Sequence, residues 1–242
     1  MNIPVGLLNN KRPHIVRRLL ILSSLLKEHD EVLDIGCGVG SYITDTLGYL
    51  PIKITAIDYD DNSIEYAKRH NQHKNVEYIV ASGESYRTEK QFDVIVCSHV
   101  LKHCLYPEVL LKNINRLLKE DGKLFLAIPN GYGCFEFENF VPRQIMKTNI
   151  GKKIINKLMS NVKDTLNHEN PHIQFFTPTK IVDLLIYLKY KILDEYNEQI
   201  IGGVITDRTI LKFPFMERLN LYLGDKLPFW ISNGWILICR KS

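Results

Sequence analysis

Hydrophobic positions in the first half of the chain alternate between two periods. The runs EVLDI (31–35), KITAID (53–58), VEYIVA (76–81), FDVIVCS (92–98) and GKLFLAI (122–128) are short, rich in β-branched residues and apolar on both faces. That is the pattern of parallel strands covered by helices on both sides. Between them, SYITDTLGYL (41–50), NSIEYAKRHNQH (62–73) and PEVLLKNINRLLKEDG (107–122) carry helical spacing, the last stopped at Gly122. Ahead of the first strand, VRRLLILSSLLKEHDEV sets Leu19, Leu22, Leu25 and Leu26 on one helical face, an amphipathic helix over the sheet. The series predicts βαβ units and a doubly wound α/β fold.

After Ile128 the alternation breaks. Residues 130–170 read as an insertion, in which KKIINKLMSNVKDTL places Ile154, Ile155, Leu158, Val162 and Leu166 on one face and lysines on the other. A helix-strand unit resumes at TPTKIVDLLIYLKYKILDEYNE, a second insertion spans 207–233, and GWILICRK closes the chain. The whole, 1–242, reads as a single domain. Both insertions follow strand ends, where open α/β sheets bind ligands, so they are expected to form a lid there. Tyr132, Phe135 and Arg143 are the expected contacts to a bound substrate there.

Composition narrows the function classes. A chain of 242 residues with 45% hydrophobic content buries a sizeable core, and its net charge of +4 permits an anionic ligand without pointing to nucleic acid. The five cysteines, Cys37, Cys97, Cys104, Cys134 and Cys239, form no C-x-x-C pair. Free thiols and no apolar run of membrane-spanning length lead us to expect a cytoplasmic protein.

The candidate chemistry centres on VLDIGCGVG, where Gly36, Gly38 and Gly40 follow a strand ending in Asp34. A glycine turn opening a helix lets a ligand pack against bare backbone at a helix N-terminus. Ser41 stands where the dinucleotide fingerprint G-x-G-x-x-G continues, so the pattern departs from the nicotinamide form. Plain strand-to-helix packing also uses such glycines. Asp58, twenty-two residues after Gly36 at the tip of the second strand, is placed to accept hydrogen bonds from a ribose diol.

At these positions the sequence resembles the class I S-adenosylmethionine-dependent methyltransferases. VLDIGCGVG is similar to their first motif, AIDYDDNSIEYAK to the ribose-contacting segment and VEYIVASGES to the segment beside adenine. The stretch FDVIVCSHVLKHCLYPEVLLKNINRLLKEDGKLFLAIPN resembles their fourth and fifth strand region. The resemblance implies a Rossmann-like seven-stranded sheet whose last strand enters antiparallel. It also implies S-adenosylmethionine as cofactor and S-adenosylhomocysteine as product. Asp34, Gly36, Gly38 and Gly40 would surround the methionine part, Asp58 would hold the ribose, and Tyr59 would lie against adenine. Ser82 stands where the family often has aspartate, so the adenine amino contact passes to Ser82, Glu84 or backbone. Ser98 and His99 would face the sulfonium end.

HVLKHCLYP resembles the ubiquinone-type O-methyltransferase branch, with Lys102 in place of that branch's glutamate. A charged lysine is no metal ligand, so no metal is assigned. The branch implies a small-molecule acceptor hydroxyl, on a sugar or glycan intermediate or on a phenolic, quinone-like molecule. His103, then His172, are the expected general bases, with His99 a third catalytic candidate. His103 also fits a role in satisfying backbone carbonyls, and His172 that of a loop residue before a helix. Two other classes stay open: an RNA or protein methyltransferase, against which the lack of a dense basic cluster argues, and a cofactor-binding module without turnover.

Overall fold

The computed structural model describes residues 1–9, 11–134 and 173–242. Seven strands form one sheet in the order β3-β2-β1-β4-β5-β7-β6. They are β1 (Glu31–Ile35), β2 (Lys53–Asp58), β3 (Val76–Val80), β4 (Phe92–Ser98), β5 (Leu118–Pro129), β6 (Tyr190–Asn197) and β7 (Gly234–Lys241). β7 runs antiparallel to both its neighbours, as the resemblance implied, and the pairings from β3 through to β5 are parallel.

Alternation along the strands splits the core into two layers. Leu33 and Ile35 of β1 and Trp235 and Leu237 of β7 face one layer, with Leu110 and Ile181 from the covering helices. Val32, Ile236 and Ile238 face the other, against Leu19, Leu22 and Ile64. Among the described residues the helices are α1 (Pro13–Leu25), α2 (Thr44–Leu47), α3 (Asp61–His70), α4 (Pro107–Leu117), α5 (Pro178–Tyr187), α6 (Val204–Thr209) and α7 (Pro214–Lys226). Buried Leu19 and Leu22 bear out the expected face of α1, and Leu26, just past its end, completes it. Among the described residues, no helix is long and apolar enough to cross a membrane.

Three expectations need correction. The helix after the glycine loop is one turn, Thr44–Leu47, and not the ten residues its spacing suggested. The chain spends Ser41 to Ile43 on a turn, in which Asp45 N–H donates to Gly40 C=O at 2.8 Å. α4 stops at Leu117, five residues before Gly122, because Leu118 already pairs with Phe92 of β4. Gly122 serves the register shift that follows: a Cβ there would lie 2.9 Å from the Phe92 carbonyl oxygen. β3 is a sheet edge, with Glu77 and Val80 half-exposed or exposed, so it is not covered on both faces.

The first insertion leaves and rejoins the sheet at one place. Gly131 N–H donates to Phe176 C=O at 2.8 Å, and Ile173 and Gln174 N–H both reach Lys102 C=O at 2.9 and 3.0 Å. The lid helix, Phe135, Arg143 and His172 lie outside the described residues. The second excursion leaves β6 after Asn197 and carries α6 and α7 before returning at Gly234.

Candidate active site

The strand ends of β1 and β4 and the helix α1 enclose a cavity of about 710 Å3. Its walls carry Asp34, Gly36 and Cys37 from the glycine loop, Ser41 to Ile43 beyond it, and Ser98 and His99 from the end of β4. α1 and the residues before it add Lys11, Arg12, His14, Ile15 and Arg18. The volume is that of a small-molecule or cofactor site.

The three loop glycines all have positive φ, at 71°, 54° and 72°, the left-handed region that side chains disfavour. Their surroundings differ. A Cβ at Gly36 would overlap the Val100 side chain, and one at Gly40 would lie 2.8 Å from the Tyr78 hydroxyl oxygen. At Gly38 it would meet nothing within 4 Å. Part of the glycine pattern therefore serves internal packing, and Gly38 alone leaves bare backbone facing open space.

Two carboxylates frame this loop. Asp34 is buried, and its Oδ2 accepts the Thr44 hydroxyl at 2.6 Å. Burial raises its pKa to about 7, the Thr44 bond opposes the rise and the nearby Asp58 charge adds to it. Asp58 latches the loop: its carboxylate accepts Gly38 N–H at 2.8 Å and Asp60 N–H at 3.0 Å. A carboxylate has about four acceptor sites, so capacity remains for a diol. Beyond it Ala81 N–H donates to Asp58 C=O at 2.8 Å, and the Ser82 hydroxyl donates to Glu84. Gly83 between them packs so close to Ile35 that a Cβ would approach its Cγ2 to 2.7 Å. The third-strand segment thus lies against the first strand's end, where the resemblance put adenine, with Tyr59 exposed nearby in sequence.

His99 follows β4 in a left-handed conformation, φ 59°, with its N–H held by Ala127 C=O at 2.8 Å. A non-glycine residue held in that region marks a position its surroundings over-determine, a pattern that gathers at functional sites. Its Nε2 is buried without a hydrogen-bond partner among the described residues, 3.5 Å from Glu198 Oε1, while a quarter of the side chain stays accessible. Arg18 Nε donates to the same Glu198 oxygen. Burial, then the Arg18 charge, lower the His99 pKa to about 4, with Glu198 pulling the other way. Burial alone would raise the Glu198 pKa, but the Arg18 charge brings it well below the usual carboxylate range. His14, 3.3 Å from Glu217, is likewise lowered to about 4, by burial and then Arg18. The wall is therefore an Arg18–Glu198 ion pair beside two neutral imidazoles.

Of the residues expected from sequence, Asp34, Gly36, Ser98 and His99 meet on the cavity wall, and Asp58 joins them through the Gly38 amide. Gly38, Gly40, Tyr59, Ser82, Glu84 and His103 lie off those walls. His103 ends a 3-10 turn, Leu101–His103, with its N–H on Val100 C=O at 2.9 Å. Sequence reasoning missed Arg18, His14 and Glu198. The two arginines heading the α1 stripe were the available signal for Arg18; Glu198, a polar residue at the end of an edge strand, offered none. Among the described residues no group of three His, Cys, Asp or Glu side chains could hold a metal ion.

Comparison with known proteins matches this architecture. The family model described as a methyltransferase domain matches residues 8–187. The chain belongs to that family, and its fold and glycine-loop cavity place it in the class I, S-adenosylmethionine-dependent group. Within that class it is similar to the ubiquinone biosynthesis O-methyltransferase of Xanthomonas oryzae pv. oryzae, 35% identical over 103 residues, covering 41% of this chain and 43% of that protein. The enzyme of the same name from Coxiella burnetii is 31% identical over 130 residues, covering 52% and 53%. The chain thus aligns with about half the length of these relatives. The solved 1,6-didemethyltoxoflavin-N1-methyltransferase of Burkholderia thailandensis, with bound 1,6-didemethyltoxoflavin and S-adenosylhomocysteine, superposes with a TM-score of 0.60 at 15% identity. That match covers 96% of this chain and 80% of the other, and it shows the shared fold.

Proposed function

We propose that this chain moves the methyl group of S-adenosylmethionine to a hydroxyl of a small acceptor, either a sugar or glycan intermediate or a phenolic, quinone-like molecule. The observation that carries the reading is one cavity joining the Asp34–Gly36 loop to the His99 imidazole. The names of the two relatives support oxygen as the atom methylated.

The residues fit the cofactor. Gly38 presents backbone to open space, Asp58 keeps acceptor capacity for the ribose hydroxyls, and Asp34 offers a carboxyl that ionises near neutrality. An ammonium group drawn beside Asp34 would favour its ionised form. When bound, S-adenosylmethionine supplies a methyl group already activated on a sulfonium. The protein's task is to hold the acceptor in line and take its proton. His99 does so best: its imidazole is neutral at physiological pH, and the Nε2 contact with Glu198 leaves the other ring nitrogen to accept. Glu198 is a positioning residue that favours the Nε2–H tautomer, and Arg18 keeps Glu198 ionised. His103 and His172 are the alternative bases.

Mass spectrometry of S-adenosylhomocysteine formed with a panel of sugar, nucleotide-sugar and phenolic acceptors tests the reading. Product formed with a hydroxyl acceptor and lost with its O-blocked analogue is the expected result. Product with RNA or protein alone would overturn it, and cofactor binding without product across all three classes would favour a binding module.

A further inference from the structure

The outer helix of the second excursion is built inside out. α7 turns Glu217, Asn220 and Gly224 toward the protein. Asn220 accepts the Ile200 and Ile201 N–H groups at 3.0 and 2.9 Å and donates to Ile201 C=O at 2.7 Å. Glu217 meets His14, and Gly224 C=O accepts from Asn197 at 2.7 Å. The opposite face presents Phe215, Leu219, Tyr222 and Leu223, spaced i, i+4, i+7 and i+8, with Phe213 before them and Trp230 after. Phe215 is 72% exposed and Trp230 66%. A surface helix ordinarily turns its apolar stripe to the core, so this reversal calls for an apolar occupant outside.

Charge selects among occupants. Lys212, Arg218 and Lys226 are exposed around the stripe, with the Lys212 Nζ 4.9 Å from the Phe213 ring and the Lys226 Nζ 5.9 Å from the Tyr222 ring. The acids of the same helix are engaged elsewhere: Glu217 faces inward and Asp225 pairs with Arg17. A second copy about a twofold axis would set this basic rim against itself, which like-charge repulsion opposes. An anionic bilayer surface answers both features. Its acyl boundary takes Phe215 and the leucines, its interface takes Tyr222 and Trp230, and its headgroups take the lysines and Arg218.

We propose that this face of α7 docks the protein on the surface of an anionic membrane. The same helix meets α1 through Glu217 on its inward face and Asp225 at its edge, and α1 with the residue before it lines the cavity through Arg12, His14 and Arg18. Docking would therefore bring the cavity to the membrane surface, within one helix of it.

Co-sedimentation with phosphatidylcholine vesicles holding about 30% phosphatidylglycerol tests the proposal, since the negative surface of such leaflets attracts basic side chains. The chain has two tryptophans and Trp235 is buried, so a fluorescence blue shift on mixing reports Trp230. The full chain is expected to pellet with these vesicles, shift blue and bind more weakly to pure phosphatidylcholine. Phe215→Ser/Tyr222→Ser should lower vesicle affinity at least about tenfold, as apolar contacts of this size contribute. The double variant's circular dichroism, melting temperature and affinity for S-adenosylhomocysteine should match the wild type. Absence of pelleting, or equal pelleting by the double variant, would overturn the proposal. So would a wild-type dimer in sedimentation velocity that the double variant loses while neither binds vesicles, which would assign the face to a second copy. None of these outcomes depends on methyl transfer.

Discussion

Single residues at the cavity separate packing from binding. Gly36→Ala combines a left-handed φ with overlap against Val100, whereas Gly38→Ala carries only the conformational cost of about 1–2 kcal/mol. Urea unfolding should therefore show the larger loss for Gly36→Ala, with part recovered in Gly36→Ala/Val100→Ala. Equal losses at the two positions would remove the packing distinction. His99→Ala should lower kcat about a hundred- to ten-thousand-fold with cofactor affinity nearly unchanged. An unperturbed imidazole would protonate near 6.5 and cut activity below that pH. With its pKa lowered to about 4, His99 stays neutral, so the rate should hold as pH falls until it approaches that value. Glu198 raises that pKa, so Glu198→Gln should move the acid limb lower still, a shift that a purely structural Glu198 would not cause. A pH–rate profile unchanged in Glu198→Gln would leave His99 without its positioning partner. Neither the Glu198 contact nor the depressed pKa was legible in the sequence, because both arise from residues 99 positions apart meeting out of water.

Among the elements, α1 and the second excursion behave as a clamp. Arg12 meets Asp207 at 2.8 Å, His14 meets Glu217 at 3.3 Å, and Arg17 pairs with Asp225. Exposure ranks these contacts. Arg12 and Asp207 are in solvent reach, so Arg12→Ala should cost less than about 1 kcal/mol. Arg18→Ala would strand the Glu198 carboxylate, only 4% exposed, and should cost about 3–5 kcal/mol in the same unfolding experiment. Similar losses for both would mean that the buried pair carries no special role. The apolar face of α1 was readable from Leu19 and Leu22, because the helical period repeats over several turns. The clamp was not, since its arginines and carboxylates look alike whether solvated or paired. α2 and α4 failed for a related reason: periodicity continued past the point where strand pairing and a tight turn claimed the backbone.

For the whole molecule, the existence of the first five strands followed from the alternation of EVLDI, KITAID and their successors, whereas their order in the sheet came only with the structure. The antiparallel β7 came from the family resemblance, which its pairing with β5 and β6 bears out. Asp34, Gly36 and Asp58 were legible because a glycine turn and a strand-tip carboxylate stay close in sequence to the elements that position them. The wall supplied by α1 and Glu198 was not, because only the closed sheet brings residues 18, 99 and 198 together. The central claim is that this wall and the glycine loop form one cofactor site. Calorimetric titration of S-adenosylhomocysteine into the wild-type protein and into Asp58→Ala tests it most directly. The account predicts saturable binding at one site, weakened in the variant by about 1.5–3 kcal/mol as hydrogen bonds to a charged group are lost. No binding to the wild type, or binding of NAD in its place, would contradict it.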